Sequence, residues 1–364
     1  MNNTQIFTPD ELTINESKKN DLFEAILNKE TVLFVGSGLS QPIYPCWEKL
    51  IITLEDLAIT CNKNFKINEV ERNERPWDYV YNIKKHIQQY DNNINRYYDK
   101  LANIFSDQDC LPIHRKLISL PFLGFITTNY DTLLEKALIE KGNKNLTCFF
   151  TIEGDNVFEV SGFFASLNNS LKKKKKIVHI HGVYNHPSTI ILGYDDYQKY
   201  YGLDNEGKLC NEPTLHYKFL WAILATRRVV FVGFSMKDVY LKYMLSIVCN
   251  DLWQWQKASH FFITEINKEN KTTQIQNSEL YFNNFGITTI FYENPDGSHK
   301  NFESLFEEII DYPNQDRLSI NINKKKVIES SKFEKVNKKT IKEIKDWANE
   351  VNRKMINKSK YNEA

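Results

Sequence analysis

No Cys-x-x-C pair occurs anywhere in the 364 residues. The six cysteines (Cys46, Cys61, Cys110, Cys148, Cys210 and Cys249) stand far apart. That excludes a zinc ribbon or a thioredoxin-type redox site, and no bound metal is expected. Scattered thiols in a chain this long fit a reducing compartment. No apolar run approaches the roughly 18 residues that a membrane helix needs. The opening stretch Met1–Gln5 carries neither the basic nor the apolar region of a signal peptide, so a cytoplasmic protein without membrane attachment is expected. Internal repeats are missing. So is the Gly-x-x-x-x-Gly-Lys-Ser/Thr loop of an ATPase.

What the chain does have is a core-forming body. Hydrophobic residues make up 41% of it and aromatics 13%, too much for a disordered chain. The length suits one large α/β domain of roughly 250–300 residues with an appendage, or two smaller domains. The net charge of +1 hides an asymmetry. Residues 324–364 hold 13 Lys/Arg against 6 Asp/Glu, a net of +7, which leaves −6 for residues 1–323. A basic tail of this kind is either a solvated helix or a contact for nucleic acid or an acidic partner.

Short apolar, β-branched or aromatic runs read as strands: Thr31–Val35, Phe122–Thr127, Ile177–Ile180, Thr189–Leu192, Val229–Val232, Phe261–Thr264 and Thr288–Tyr292. None alternates between apolar and polar residues, the pattern of strands buried on both faces of a parallel sheet. Helical patterns at Trp47–Thr60, Asp131–Glu140, Lys237–Cys249 and Asn301–Ile310 follow several of them. The alternation predicts an α/β, Rossmann-like, doubly wound, mostly parallel sheet. Polar, aromatic-bearing helical stretches at about 61–120 and 195–226 read as insertions that form a small helical module. The body is expected to span 20–312, with a basic helical extension over 313–364. There Ile341, Ile344, Ala348, Val351 and Met355 follow a 3-4 spacing that lines one side of a helix. Such a stripe docks on the body or packs against another subunit. Lys172–Lys176 read as a solvated loop or as a phosphate or nucleic-acid contact.

Four segments carry candidate chemistry. In the first, a strand runs into Gly36-Ser37-Gly38-Leu39-Ser40, where glycines let backbone N–H groups approach a pyrophosphate. Alone it also fits an ordinary β–α turn, because the third glycine of the dinucleotide fingerprint is missing. In the second, Thr127-Thr128-Asn129-Tyr130-Asp131, polar groups crowd a strand end, where open α/β sheets bind ligands. Asn129 or Asp131 equally suits the N-cap of the helix that follows. The third is His179-Ile180-His181-Gly182. Side chains alternate along a strand, so one histidine can face a cleft. His181, at the strand end, is the better placed, and His179 suits the core. The fourth is Gly233-Phe234-Ser235-Met236-Lys237-Asp238, in which Ser235 or Asp238 meets a ribose or caps a helix.

In this order the four segments resemble the sirtuin domain, and more closely its bacterial NAD-hydrolysing branch from anti-phage defence systems. Pro42, Pro45-Cys46-Trp47 and the stretch from Gly286 through His299 also fit that group. The resemblance covers roughly residues 20–312. It implies NAD as substrate. Gly36, Ser37, Gly38 and Ser40 match the pyrophosphate loop. Asn129, Asp131 and the adjacent Thr128 match the polar group beside the nicotinamide ribose. His181 matches the catalytic histidine, and Gly233 and Ser235 match the adenosine side. Deacylating sirtuins carry a four-cysteine zinc module that this chain lacks, so the resemblance implies a zinc-free helical module and NAD glycohydrolase activity, yielding nicotinamide and ADP-ribose or a cyclised form. A non-catalytic NAD or ADP-ribose sensor and an NAD-dependent deacylase are the alternatives, and a dehydrogenase lacks its fingerprint. An uncontrolled enzyme of this kind would kill its host. The resemblance therefore implies control by homo-oligomer formation or by a separate partner, such as a hexameric DNA-translocating ATPase.

Overall fold

The computed structural model describes residues 6–323 apart from 92–93, 107, 142–148, 152–156, 169–174, 205–207, 211, 253–259 and 296. The basic tail and its 341–355 stripe lie outside the described residues, as do Lys172–Lys174. Among the described residues, seven strands form one sheet: β1 (Thr31–Val35), β2 (Phe125–Thr127), β3 (Phe149–Thr151), β4 (Ile177–His179), β5 (Arg228–Val232), β6 (His260–Ile266) and β7 (Ile287–Glu293). Their order is β3-β4-β2-β1-β5-β6-β7, and every neighbouring pair is parallel. This is the Rossmann-like α/β sheet that the apolar runs predict. All of β1 is buried, and β5 is buried beyond its first residue. Side chains on both faces therefore have to be apolar, which is why no alternation is visible in the sequence.

The central strand sets the geometry. In β1, Val35 pairs with Thr127 of β2 on one side and Val232 of β5 on the other, and Thr127 pairs in turn with His179 of β4. Four strand ends thus finish level at the carboxyl edge. From β1 the chain builds outward through β2, and later from β5 in the opposite direction. The crevice outside such a reversal point is where doubly wound sheets take ligands.

Helices cover the sheet. Helix α1 (Pro9–Leu27) starts at a capping box: Thr8 Oγ1 accepts from Glu11 N–H at 3.3 Å and Glu11 accepts from Thr8 N–H at 2.7 Å. Its Asn15 side chain pairs with both the N–H and the C=O of Phe291, stitching α1 to edge strand β7. Between β1 and β2 lie α2 (Trp47–Cys61), α3 (Glu69–Glu74), α4 (Pro76–Asp91), α5 (Asn95–Ile104) and α6 (Pro112–Ser119). Then come α7 (Leu133–Glu140), α8 (Val157–Ser166), α9 (Tyr194–Tyr201), α10 (Leu215–Thr226), α11 (Val239–Asp251), α12 (Lys271–Phe285) and α13 (Lys300–Asn323). Helix α9 is tied to α4 by Lys84, which pairs with Asp195 at 3.1 Å and Asp196 at 2.8 Å. The chain divides into two compact units, Met1–Glu308 and Ile309–Ala364. The described part of the second continues α13 to Asn323.

One run and one strand differ from the sequence expectation. Thr189–Leu192 is no strand. Pro187 opens a 3-10 turn over Pro187–Thr189, and Ile191 N–H then bonds His181 C=O at 3.0 Å outside the ladder. Its apolar residues are buried, Ile191 in the main core, so burial there mimics a strand signal. Conversely, β3 was not marked by any of the apolar runs. No described helix is long and apolar enough to cross a membrane.

Candidate active site

The site grows from the strand ends. Beyond β1, Gly36 leads into a 3-10 turn over Ser37–Ser40. This turn is pressed against the one that follows β5: Gly36 N–H bonds Val232 C=O at 2.9 Å and Gly38 N–H bonds Gly233 C=O at 2.8 Å. A Cβ on Gly36 would lie 2.6 Å from the Gly233 oxygen, and one on Gly233, whose φ is +63°, would lie 2.5 Å from Leu39 N. The glycines are thus needed for the contact between two turns as much as for an anion. Their N–H groups are already engaged. Ser37 and Gly38, at the tip of this turn, are exposed.

Beyond β2, Asn129 is held on nearly every polar atom. Its N–H donates to Thr127 Oγ1 at 3.0 Å. Its side-chain Nδ2 donates to Gly36 C=O at 3.2 Å and to Ser40 Oγ at 3.0 Å. Ser40 in turn donates to Asp131 Oδ2 at 2.7 Å. The other Asp131 oxygen accepts from Leu133 N–H, the first residue of α7, at 3.1 Å, so Asp131 ties the start of the helix to the network. Burial pushes the Asp131 carboxyl above the usual carboxylate range. One atom of the network is bare: the buried Asn129 Oδ1 has no partner among the described residues. Buried polar atoms are nearly always satisfied, so one left open in a polar network invites a ligand donor or a developing positive charge.

The two histidines after β2's neighbour separate as strand alternation requires. His179 is buried in the body, with Nδ1 2.9 Å from Asn129 C=O and Nε2 against the Glu135 carboxylate. Burial opposes its charged form, yet Glu135 more than offsets this and raises its pKa. His181 faces the crevice, 2.9 Å from the Tyr201 hydroxyl. Burial drives its pKa down to about 3. The ordinary value near 6.5 would leave it poised at neutrality. In place it is a neutral ring.

Helix α9 supplies the crevice wall. Tyr197 packs edge-on to His181 with centroids 5.3 Å apart and stacks on Tyr240 of α11 at 4.2 Å. Asp238 caps α11 through Leu241 N–H at 3.0 Å and accepts from the Tyr197 hydroxyl at 3.3 Å. Phe34, Thr128, Ile180, His181, Tyr201, Leu220, Asp238, Tyr240 and Leu241 line a crevice with no room for a water molecule. Thr128 and His181 therefore share one wall, and Gly36, Ser40, Asn129 and Asp131 share one hydrogen-bond network. Ser235 stands apart: it is exposed, and its hydroxyl accepts from Lys237 N–H at 3.4 Å. Glu135 and Tyr201 are the residues that the motifs did not mark. Glu135 left a faint signal, an acid between Leu134 and Lys136 in a helix whose other residues from Leu133 to Leu138 are apolar. Tyr201 left none, because its place depends on how α9 returns to the sheet. Among the described residues, no group of three or more His, Cys, Asp or Glu is placed to hold a metal ion.

Residues 124–290 match the family model described as a SIR2-like domain. Three of the four motif segments fall inside the match and the glycine turn precedes it. Related proteins carry the comparison further along the chain. NAD(+) hydrolase ThsA of Bacillus cereus (strain MSX-D12) is 26% identical over 289 residues, covering 75% of this chain and 53% of that protein. The protein of the same name from Acinetobacter baumannii (strain 532279) is 27% identical over 247 residues, 65% of this chain and 42% of that one. Defense-associated sirtuin 2 of Bacillus subtilis is 25% identical over 280 residues, 74% of this chain and 24% of its own length. The chain thus spans about half or less of the length of these relatives.

Three further histidines share the depressed state of His181. Burial lowers His114 and His260 to about 4 and His216 to about 3. Each binds its proton more readily when unfolded, so its stabilising contribution is complete above the unfolded value near 6.5 and is lost as pH falls toward the folded value. His216 packs against Tyr200 and Tyr201 and does not line the crevice. His216→Leu is expected to flatten the acid limb of the stability curve between about pH 6.5 and 4, by up to about 1.4 kcal/mol per pH unit. Urea unfolding at four pH values measures this, and an unchanged slope contradicts it.

Proposed function

We propose that this chain is an NAD glycohydrolase that breaks the nicotinamide–ribose bond. The observation that carries it is the open Asn129 Oδ1, held by Gly36 and Ser40 at the level sheet edge where His181 also emerges. The names of the relatives, two of them NAD(+) hydrolases, support the same substrate.

The chemistry follows from the charges. In NAD the glycosidic nitrogen is cationic, so the C1′–N bond breaks with its electron pair going to nicotinamide, which leaves neutral. Positive charge then develops on the ribose. Oxygen acceptors fixed beforehand in a dry site stabilise such charge strongly, because they need no reorganisation at the moment of reaction. Asn129 Oδ1 is the candidate for that role, with Asp131 behind Ser40 completing the negative end of the network. His181, as a neutral ring, accepts a hydrogen bond from a ribose hydroxyl without adding a competing positive charge. Water bonds to C1′ and loses a proton, giving ADP-ribose. Capture of C1′ by an atom of the same molecule would give a cyclised form instead. Ser37 N–H and its exposed turn are the candidate contact for the pyrophosphate, with Thr128, Gly233 and Ser235 along its path.

The closed crevice supports control of this activity, since substrate has to part α9 from α11 to reach His181. By this proposal the protein works in the cytoplasm as the NAD-depleting effector of an anti-phage defence system, as an oligomer or with a separate partner such as a hexameric DNA-translocating ATPase. The basic 313–364 extension is the candidate contact.

Nicotinamide release from NAD, followed by chromatography, tests the site. Asn129→Ala and His181→Ala are each expected to lose about 10²- to 10⁴-fold in kcat, and full turnover in both would refute the assignment. For the extension, light scattering of the chain lacking residues 324–364 is expected to report a smaller particle than the full chain gives. An unchanged mass, with and without partner, removes that contact.

A further inference from the structure

We infer that the buried Glu135–His179 pair is a positioning device for Asn129, setting the rate of bond cleavage and not the affinity for NAD. The inference rests on the hydrolase function proposed above. His179 is the last residue of β4 and Glu135 lies in α7, and both side chains are at most 3% exposed. His179 Nδ1 lies 2.9 Å from the carbonyl oxygen of Asn129, and Nε2 meets the Glu135 carboxylate. Both partners are acceptors, so a neutral ring with its single proton can satisfy one of them, and the doubly protonated ring satisfies both. The charged and titratable groups facing His179 are Glu135 from α7 and Asp131 from the segment between β2 and α7. Both favour that doubly protonated form.

As a stability element the pair is poor value. A buried ion pair gains little over apolar residues of the same volume. Its geometry points elsewhere. The Asn129 N–H is bound by Thr127 and its Nδ2 by Gly36 and Ser40. His179 binds the one remaining backbone atom, the carbonyl oxygen. With these held, Oδ1 alone is left open. Three elements meet in this arrangement: β4 through His179, α7 through Glu135 and the β2 exit through Asn129. Removing the donor at Nδ1 frees the Asn129 peptide to turn, and Oδ1 turns with it. A misplacement of about 1 Å near the reacting atoms can cost on the order of 10²-fold in rate. Ground-state contacts of NAD with the glycine turn do not pass through His179.

The test compares wild type, His179→Leu and His179→Asn for kcat, for KM and for NAD affinity by calorimetry. Asn keeps an amide donor near the Nδ1 position and Leu removes it. His179→Leu is expected to lose about 10- to 100-fold in kcat with NAD affinity within about twofold of wild type. His179→Asn is expected to recover at least about tenfold of that loss. Unchanged kcat in His179→Leu overturns the inference and leaves the hydrolase intact. So does a parallel loss of kcat and affinity that Asn fails to restore. If His179→Leu does not fold, Glu135→Gln takes its place, with the same kcat-selective loss expected. Should wild type itself release no nicotinamide, the hydrolase proposal fails separately. The positioning is then read from amide-proton exchange at residues 128–130, where faster exchange in the variant upholds it and unchanged protection overturns it.

Discussion

A parallel sheet buried on both faces leaves polar side chains nowhere to go but its edges. Here that constraint is sharpened by register. Val35, Thr127, His179 and Val232 stand side by side across four adjacent strands, so the polar residues that follow them emerge at one level. The contact between the turns after β1 and β5 then locks that edge, with Gly36 and Gly38 against Gly233. Everything else in the site hangs from these two facts. The Asn129 side chain reaches the Gly36 carbonyl because β2 ends beside β1. His179 reaches the Asn129 carbonyl because β4 ends beside β2.

How much of this was legible beforehand follows from range. Strand identity is local: unbroken apolar runs such as Val229–Val232 announce a doubly buried strand without further context. The four polar strand ends were equally plain, because a Gly or a Thr-Thr-Asn following such a run cannot continue it. The Thr189–Leu192 run misled for the same reason. Its residues are as apolar as a strand's, but Pro187 turns the chain out of the ladder. The pairing of Glu135 with His179 spans 44 residues. That of Tyr201 with His181 needs α9 to fold back. Neither leaves a periodic trace, so neither could be read before the sheet order was known.

Electrostatics divides the site into two unlike halves. On the His179 side, a carboxylate favours the charged form of a buried imidazole, and the other ring nitrogen meets the Asn129 backbone carbonyl. On the His181 side, aromatic walls from α9 and α11 keep the second imidazole neutral. The two rings sit two residues apart, one at the end of β4 and one in the turn beyond it, yet their environments push them in opposite directions. That division suits a reaction in which cationic character arises on the substrate. The imidazole whose charged form is favoured lies against the Asn129 carbonyl, and the imidazole that lines the crevice is neutral. The same aromatic walls close the crevice, so access and electrostatics are governed by the same helices.

The central claim is that water ends the reaction at C1′ of the nicotinamide ribose. It is tested most directly by running the reaction in water carrying heavy oxygen and weighing the products. The account predicts one heavy oxygen in ADP-ribose and none in nicotinamide. NAD recovered intact under conditions where the protein binds it would contradict the account.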